Sequence, residues 1–157
     1  MDSAKQKPVS PRMLRAATKR FFELHWPRTA KEEVPQWARL VETKLSDSVR
    51  KGGCYAVLDA EGNVSYVGLG VAKPLKEGAA GGILGRLYRH VVVRKALVGG
   101  QLQPKRPVWK EMSGILYIPF GEQAYLAGAL ELYLIDQFGC ALVHNKGRVP
   151  RVRESTV

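Results

Sequence analysis

No run of this chain is apolar for long enough to span a bilayer, and its opening residues, Met1 to Pro8, contain no apolar signal core. Neither a membrane span nor a secretory leader is therefore expected, and the chain reads as intracellular: cytoplasmic, or nuclear in a eukaryote. Cysteine is almost as scarce. Cys54 and Cys140 stand far apart, which argues against a disulfide framework or a thiolate metal site and makes two reduced, buried thiols the expectation. In the middle of the chain the scarcest feature is negative charge. Between Leu69 and Lys110, nine Lys or Arg (Lys73, Lys76, Arg86, Arg89, Arg94, Lys95, Lys105, Arg106, Lys110) face a single acid, Glu77.

With 25 Lys+Arg against 14 Asp+Glu, the 157 residues carry a formal charge of +11, and a domain this basic attracts polyanions whatever its fold. Nucleic acid is the expected partner, with Lys73, Lys76, Arg89, Arg94, Lys105, Arg106 and Lys110 as candidate contacts. An acidic membrane surface is the weaker reading, because no basic amphipathic helix presents large apolar anchors.

The length suits one domain with an appended arm. Residues 1 to 9 read as disordered. Ser10-Pro11 then opens a helix with a serine cap and proline at its first position, and Met13, Leu14, Ala17, Phe21 and Leu24 recur at helical spacing up to Trp26-Pro27. A second helix is expected from Thr29 or Val34 through Trp37, Leu40, Val41 and Leu45 toward Val49. This arm, residues 1–52, could brace the rest, form a dimer contact or touch nucleic acid.

The centre of the pattern runs from Gly53 to Gly68. Two β-prone runs, Cys54 to Leu58 and Val64 to Val67, flank Asp59-Ala-Glu-Gly-Asn63, a turn with Gly62 able to take positive φ. Strand alternation puts Tyr55 and Val57 on one face and the more core-like Cys54, Ala56 and Leu58 on the other. Gly68, after Tyr66, leaves room for another backbone or a ligand. Leu69 to Gly82 is a glycine-rich basic loop without the ending of a P-loop.

Ile83 to about Ala96 reads as a two-faced helix: Leu84, Leu87, Tyr88 and Val91 face the core, while Arg86, His90 and Arg94 form a separate stripe with Arg89 beside it. A histidine one turn from an arginine can aim a cation and a titratable nitrogen at one phosphate. After a loop comes a strand, Ile115 to Ile118, ended by Pro119. From Ala124 to Ile135 eleven uncharged residues surround one carboxylate, Glu131, which at this position costs desolvation unless it meets a cation, a metal or donors. Gly139 stops that helix, a short extended segment and turn carry His144 and Asn145, and residues 149–157 form a basic, then polar, tail.

These motifs in this order resemble the GIY-YIG nuclease superfamily, closest to its restriction-endonuclease-like branch. Gly53-Cys54-Tyr55 stands at its first motif, Tyr66-Val67-Gly68 at its second, Arg86 at its helix arginine, Glu131 at its metal-binding glutamate and Asn145 at its asparagine. The likeness covers residues 53–148. Two departures are Cys54, where the family has isoleucine or valine, and a longer loop before Arg86. The resemblance implies an α+β fold with a small three-stranded antiparallel sheet flanked by helices, preceded by the helical arm. It implies a DNA endonuclease that leaves 5′-phosphate and 3′-hydroxyl ends, with Mg²⁺, or Mn²⁺ in its place, on Glu131. Tyr55 would act as, or help position, the general base, its pKa lowered by nearby cations and metal, and Tyr66 would orient water or phosphate. Arg86 would bind the scissile phosphate, His90 would accept a proton from Tyr55 or hold its hydroxyl, and Asn145 would support the site. Tyr55, Arg86, His90 and Glu131 should converge. Restriction-like cutting of both strands would call for a homodimer. Alternatives are a repair, mobile-element or single-strand nuclease on the same core, and a non-catalytic nucleic-acid-binding module.

Overall fold

The computed structural model describes residues 6–41, 45–70, 81–93 and 102–145. Its elements are α1 (Pro11–His25), β1 (Ala38–Arg39), a 3₁₀ turn (Asp47–Arg50), β2 (Gly53–Leu58), β3 (Val64–Gly70), α2 (Gly82–His90), a second 3₁₀ turn (Pro107–Trp109), β4 (Gly114–Pro119) and α3 (Leu126–Phe138). The fold is α+β, as expected. The sheet has four strands rather than three, all antiparallel, in the order β1-β4-β2-β3. The extra strand is the two-residue β1, in which Ala38 and Arg39 pair with Tyr117 and Leu116.

β2 and β3 form the hairpin read from the sequence. Its turn is held by Asp59, whose Oδ1 accepts from Glu61 N at 3.0 Å and Asn63 N at 2.8 Å, and Gly62 takes the positive φ of 81° that an L side chain resists. Both faces of β2 are covered, so all six of its residues are buried. Cys54, Ala56 and Leu58 pack with α1 and α3 through Leu14, Phe21, Leu126, Leu130 and Leu134. On the other face Tyr55 and Val57 pack with Ile83, Leu84 and Leu87 of α2, with Ile115 and with Trp109. The sheet is thus the middle of three layers.

In α1 the Ser10 side chain accepts from Met13 N at 3.2 Å and proline opens the helix. Its buried stripe is Leu14, Ala17, Thr18, Phe21 and Phe22, while Leu24 is exposed. The helix shares the core of the sheet and α3, and Val9, expected in a disordered start, is buried and bridges to Val64. The expected second helix is replaced, among the described residues, by irregular chain, β1 and the short 3₁₀ turn. Proline at positions 27 and 35 interrupts helical hydrogen bonding, and Trp37 spends its indole N–H on the buried Thr18 hydroxyl at 2.8 Å. The segment is fastened at a second point, where the Glu32 carboxylate accepts from Gln123 N at 2.9 Å and Glu122 N at 3.2 Å ahead of α3. Glu32→Ala should therefore cost about 1 kcal/mol in urea denaturation, the usual value of a lost helix-entry cap.

α2 ends at His90, short of the expected Ala96. The run Val91-Val92-Val93 disfavours helix, and Val92 bridges to Pro104 instead. Cys54 is buried as expected, but Cys140 is exposed, since it lies in the turn that follows α3. No helix among the described residues is long and apolar enough to cross a membrane.

Candidate functional site

Four of the six expected catalytic side chains gather at the α2 face of the hairpin. Tyr55 points from β2 across β3, directly opposite Gly68. A Cβ at position 68 would lie 2.5 Å from the Tyr55 ring and 2.7 Å from Tyr66, so Gly68 is the gap through which the phenol passes, and the close approach read from the sequence is made by Tyr55 itself. The Tyr55 and Tyr66 rings stand 5.9 Å apart at 38°. Arg86, half-buried on α2, acts electrostatically on both Tyr55 and His90. Its Nε is buried and makes no hydrogen bond among the described residues, an uncommon state for a guanidinium nitrogen and one that an incoming anion would relieve.

The Tyr55 hydroxyl lacks the lowered pKa expected of it. Its pKa is pushed up rather than down: burial is the largest cause, the charge of and hydrogen bonding with Tyr66 add to it, and the opposing pull of Arg86 is smaller. Tyr55 is only 1% exposed, so a tyrosinate would be left with little water. The group is therefore a phenol at neutral pH, able to orient a water or a phosphate but not standing ready as a charged base.

His90, at the last turn of α2, is pulled the other way from its ordinary 6.5. Burial lowers its pKa first, and the charges of Arg86, Arg106, Arg89 and Lys105 follow. With the native imidazole harder to protonate than that of the unfolded chain, its contribution to stability is present above the ordinary value and is lost as pH falls below it. Arg89, Lys105, Arg106 and Lys110 are exposed around this helix end. Of the other candidate phosphate contacts, Lys73, Lys76 and Arg94 lie outside the described residues.

Asn145 does more than follow the helix. Its Oδ1 accepts from Val67 N at 2.9 Å and its Nδ2 donates to Val67 O at 2.8 Å, so one side chain stands in for a neighbouring strand on the outer edge of β3. His144 N adds a bond to Ser65 O at 3.0 Å. Val67 lies between Tyr66 and Gly68, which makes Asn145 the brace of the second motif.

Glu131 does not join the group through the same face. α3 carries it, 6% exposed, to the side of β2 on which Cys54 lies, where the Cys54 Sγ donates to Ala127 O at 3.1 Å. Burial and then the charge of Glu131 push the Cys54 thiol up, whereas the side chains that act on Tyr55 are Tyr66 and Arg86. The sheet layer thus comes between the α3 glutamate and the Tyr55 face. Among the described residues no three His, Cys, Asp or Glu gather as a metal cluster.

Trp109 was not singled out from sequence, although an aromatic residue inside a basic stretch was the available signal. Its ring meets Tyr66 at 5.3 Å edge-on and His144 at 5.3 Å edge-on, and its indole N–H donates to His90 O at 2.9 Å. One tryptophan therefore touches Tyr66, the helix end that holds His90, and the segment that ends in Asn145. No protein-family model, curated protein or solved structure matches the chain.

Proposed function

We propose that the chain is a divalent-metal-dependent endonuclease that hydrolyses DNA phosphodiester bonds to 5′-phosphate and 3′-hydroxyl ends in the GIY-YIG manner. The observation that carries this reading is the gathering of Tyr55, Tyr66, Arg86 and His90 on one face, with the buried Arg86 Nε lacking a partner among the described residues. Phosphodiester hydrolysis needs an oriented water and stabilisation of the charge that grows on the phosphate oxygens. Arg86 supplies a fixed cation for that charge. The protonated Tyr55, beside Tyr66, orients the water, and the cations around His90 draw in and seat the DNA backbone.

A magnesium ion that keeps most of its waters needs one or two carboxylates, and Glu131 meets that number. When bound, Mg²⁺ supplies neutralisation of charge on phosphate oxygens. Glu131, however, stands on the Cys54 side of β2 and does not by itself fit a metal at the Tyr55 and Arg86 face. The placement of Glu131 across the sheet layer favours a second reading, a DNA-binding module that keeps the fold without cutting. Plasmid DNA incubated with the protein and Mg²⁺ or Mn²⁺ separates the two. Nicking or linearisation by wild type, lost in Glu131→Gln with DNA affinity retained, is the expected result. Salt-sensitive binding with no cutting under either metal would establish the second reading.

A further inference from the structure

We propose that Arg106 is a positioning residue for His90: by donating to Nδ1 it holds the imidazole as the neutral tautomer with its proton on Nε2, so that His90 gives a hydrogen bond rather than takes up a proton. What His90 donates to rests on the nuclease reading; the tautomer itself does not.

The guanidinium of Arg106 lies 3.4 Å from His90 Nδ1. Arginine has five N–H groups and no acceptor, so in this contact Nδ1 can only accept. In a neutral imidazole an accepting Nδ1 leaves the proton on Nε2, and the bond made by one ring nitrogen is what selects the tautomer. The chain around the contact is built to hold it. Lys105 Nζ donates to Tyr88 O at 2.7 Å, Lys105 N donates to Val91 O at 2.8 Å, and Trp109 N–H of the indole donates to His90 O at 2.9 Å. The segment from Lys105 to Trp109 is thereby fastened to the carbonyl end of α2, with Arg106 between its two anchors.

Among the described residues every charged group acting on the ring is a cation: Arg86 and Arg89 from its own helix, Lys105 and Arg106 from the facing segment. An imidazolium would add a fifth positive charge to this group, which opposes the role of proton acceptor from Tyr55. The same crowding suits a neutral donor. Phosphate oxygens drawn in by the cations would meet an Nε2–H already in place.

Nitrogen-15 NMR of the ring nitrogens reads the tautomer directly, and the chain has only 3 histidines, so His90→Gln identifies the signal. In wild type at about pH 7.5 the expected pattern is an unprotonated Nδ1 and a protonated Nε2. Arg106→Ala should shift the ring toward a tautomer mixture and raise its titration midpoint, whereas Arg106→Lys, which keeps a donor, should restore most of the wild-type pattern. Cleavage by Arg106→Ala should fall about tenfold, the scale on which groups that orient a functional side chain act. A wild-type ring protonated on Nδ1, or doubly protonated at that pH, would overturn the proposal, as would a ring pattern unchanged in Arg106→Ala. Failure of wild type to cut DNA would sink the nuclease reading and leave the tautomer result standing.

Discussion

Arg86→Ala should reduce DNA cleavage by about 10²- to 10³-fold, the usual loss when a preorganised donor to developing negative charge is removed, while the protein stays folded. The expectation rests on placement. Arg86 is half-buried on α2, and its guanidinium acts on Tyr55 and His90 together, so its charge is less screened by water than that of a surface arginine. Among the described residues its Nε has no hydrogen bond to lose, and a thermal melt of the variant should show a change of only a few degrees. Arg86→Lys should recover little, because a lysine ammonium cannot reproduce the planar fork. Lys110→Ala offers the contrast. That exposed residue should weaken DNA binding and lower the salt slope by about 1 without a large change in the rate of the bound complex. An Arg86→Ala protein that cuts at the wild-type rate would remove Arg86 from the chemistry.

Asn145→Leu should destabilise the protein by about 2–5 kcal/mol, measured by urea denaturation. Asn145 is 2% exposed, and both of its bonds go to the main chain of Val67. Leucine keeps the branched frame of asparagine but leaves a buried N–H and a buried C=O unmatched, each costing about 1–3 kcal/mol. The damage would fall on a strand at the edge of the sheet, beside which no further strand lies among the described residues. Asn145→Asp is the informative companion. It keeps the acceptor for Val67 N and loses the donor to Val67 O, so its loss should exceed half that of leucine at neutral pH, where a carboxylate faces a carbonyl, and should shrink as the solution is acidified. Equal stability of wild type and Asn145→Leu would show that β3 holds its edge without the brace.

The hairpin, the amphipathic α2 and the apolar α3 were legible in the residues because each rests on a local rule. Turn-formers at residues 59–63, a 3.6-residue apolar period and a glycine at the helix end act over one or two turns of chain. The charge of +11 and its concentration before Lys110 are likewise facts of sequence, and a polyanionic partner is the expectation they raise.

Tertiary structure decided everything that depends on what lies across a gap. The hydrophobic spacing of Trp37, Leu40 and Leu45 suits a helix, yet the backbone there pairs with β4 and the Trp37 indole finds Thr18, nineteen residues away. The direction of the Tyr55 shift could not be read from its neighbours in sequence, because it depends on how completely two layers cover the phenol against how near one arginine comes. Glu131 could be recognised as a lone carboxylate among apolar residues, but only the packing of α3 puts it on the Cys54 side of β2. Trp109, Arg106 and His90 meet because the segment after the basic loop returns to the end of α2, a contact that no local period encodes. Sequence by itself determined the hairpin, α1, α2 and α3 as elements, the excess of cations and the residue types available for phosphate chemistry. Folding determined which of them share a face, since burial and charge proximity are properties of three-dimensional neighbours.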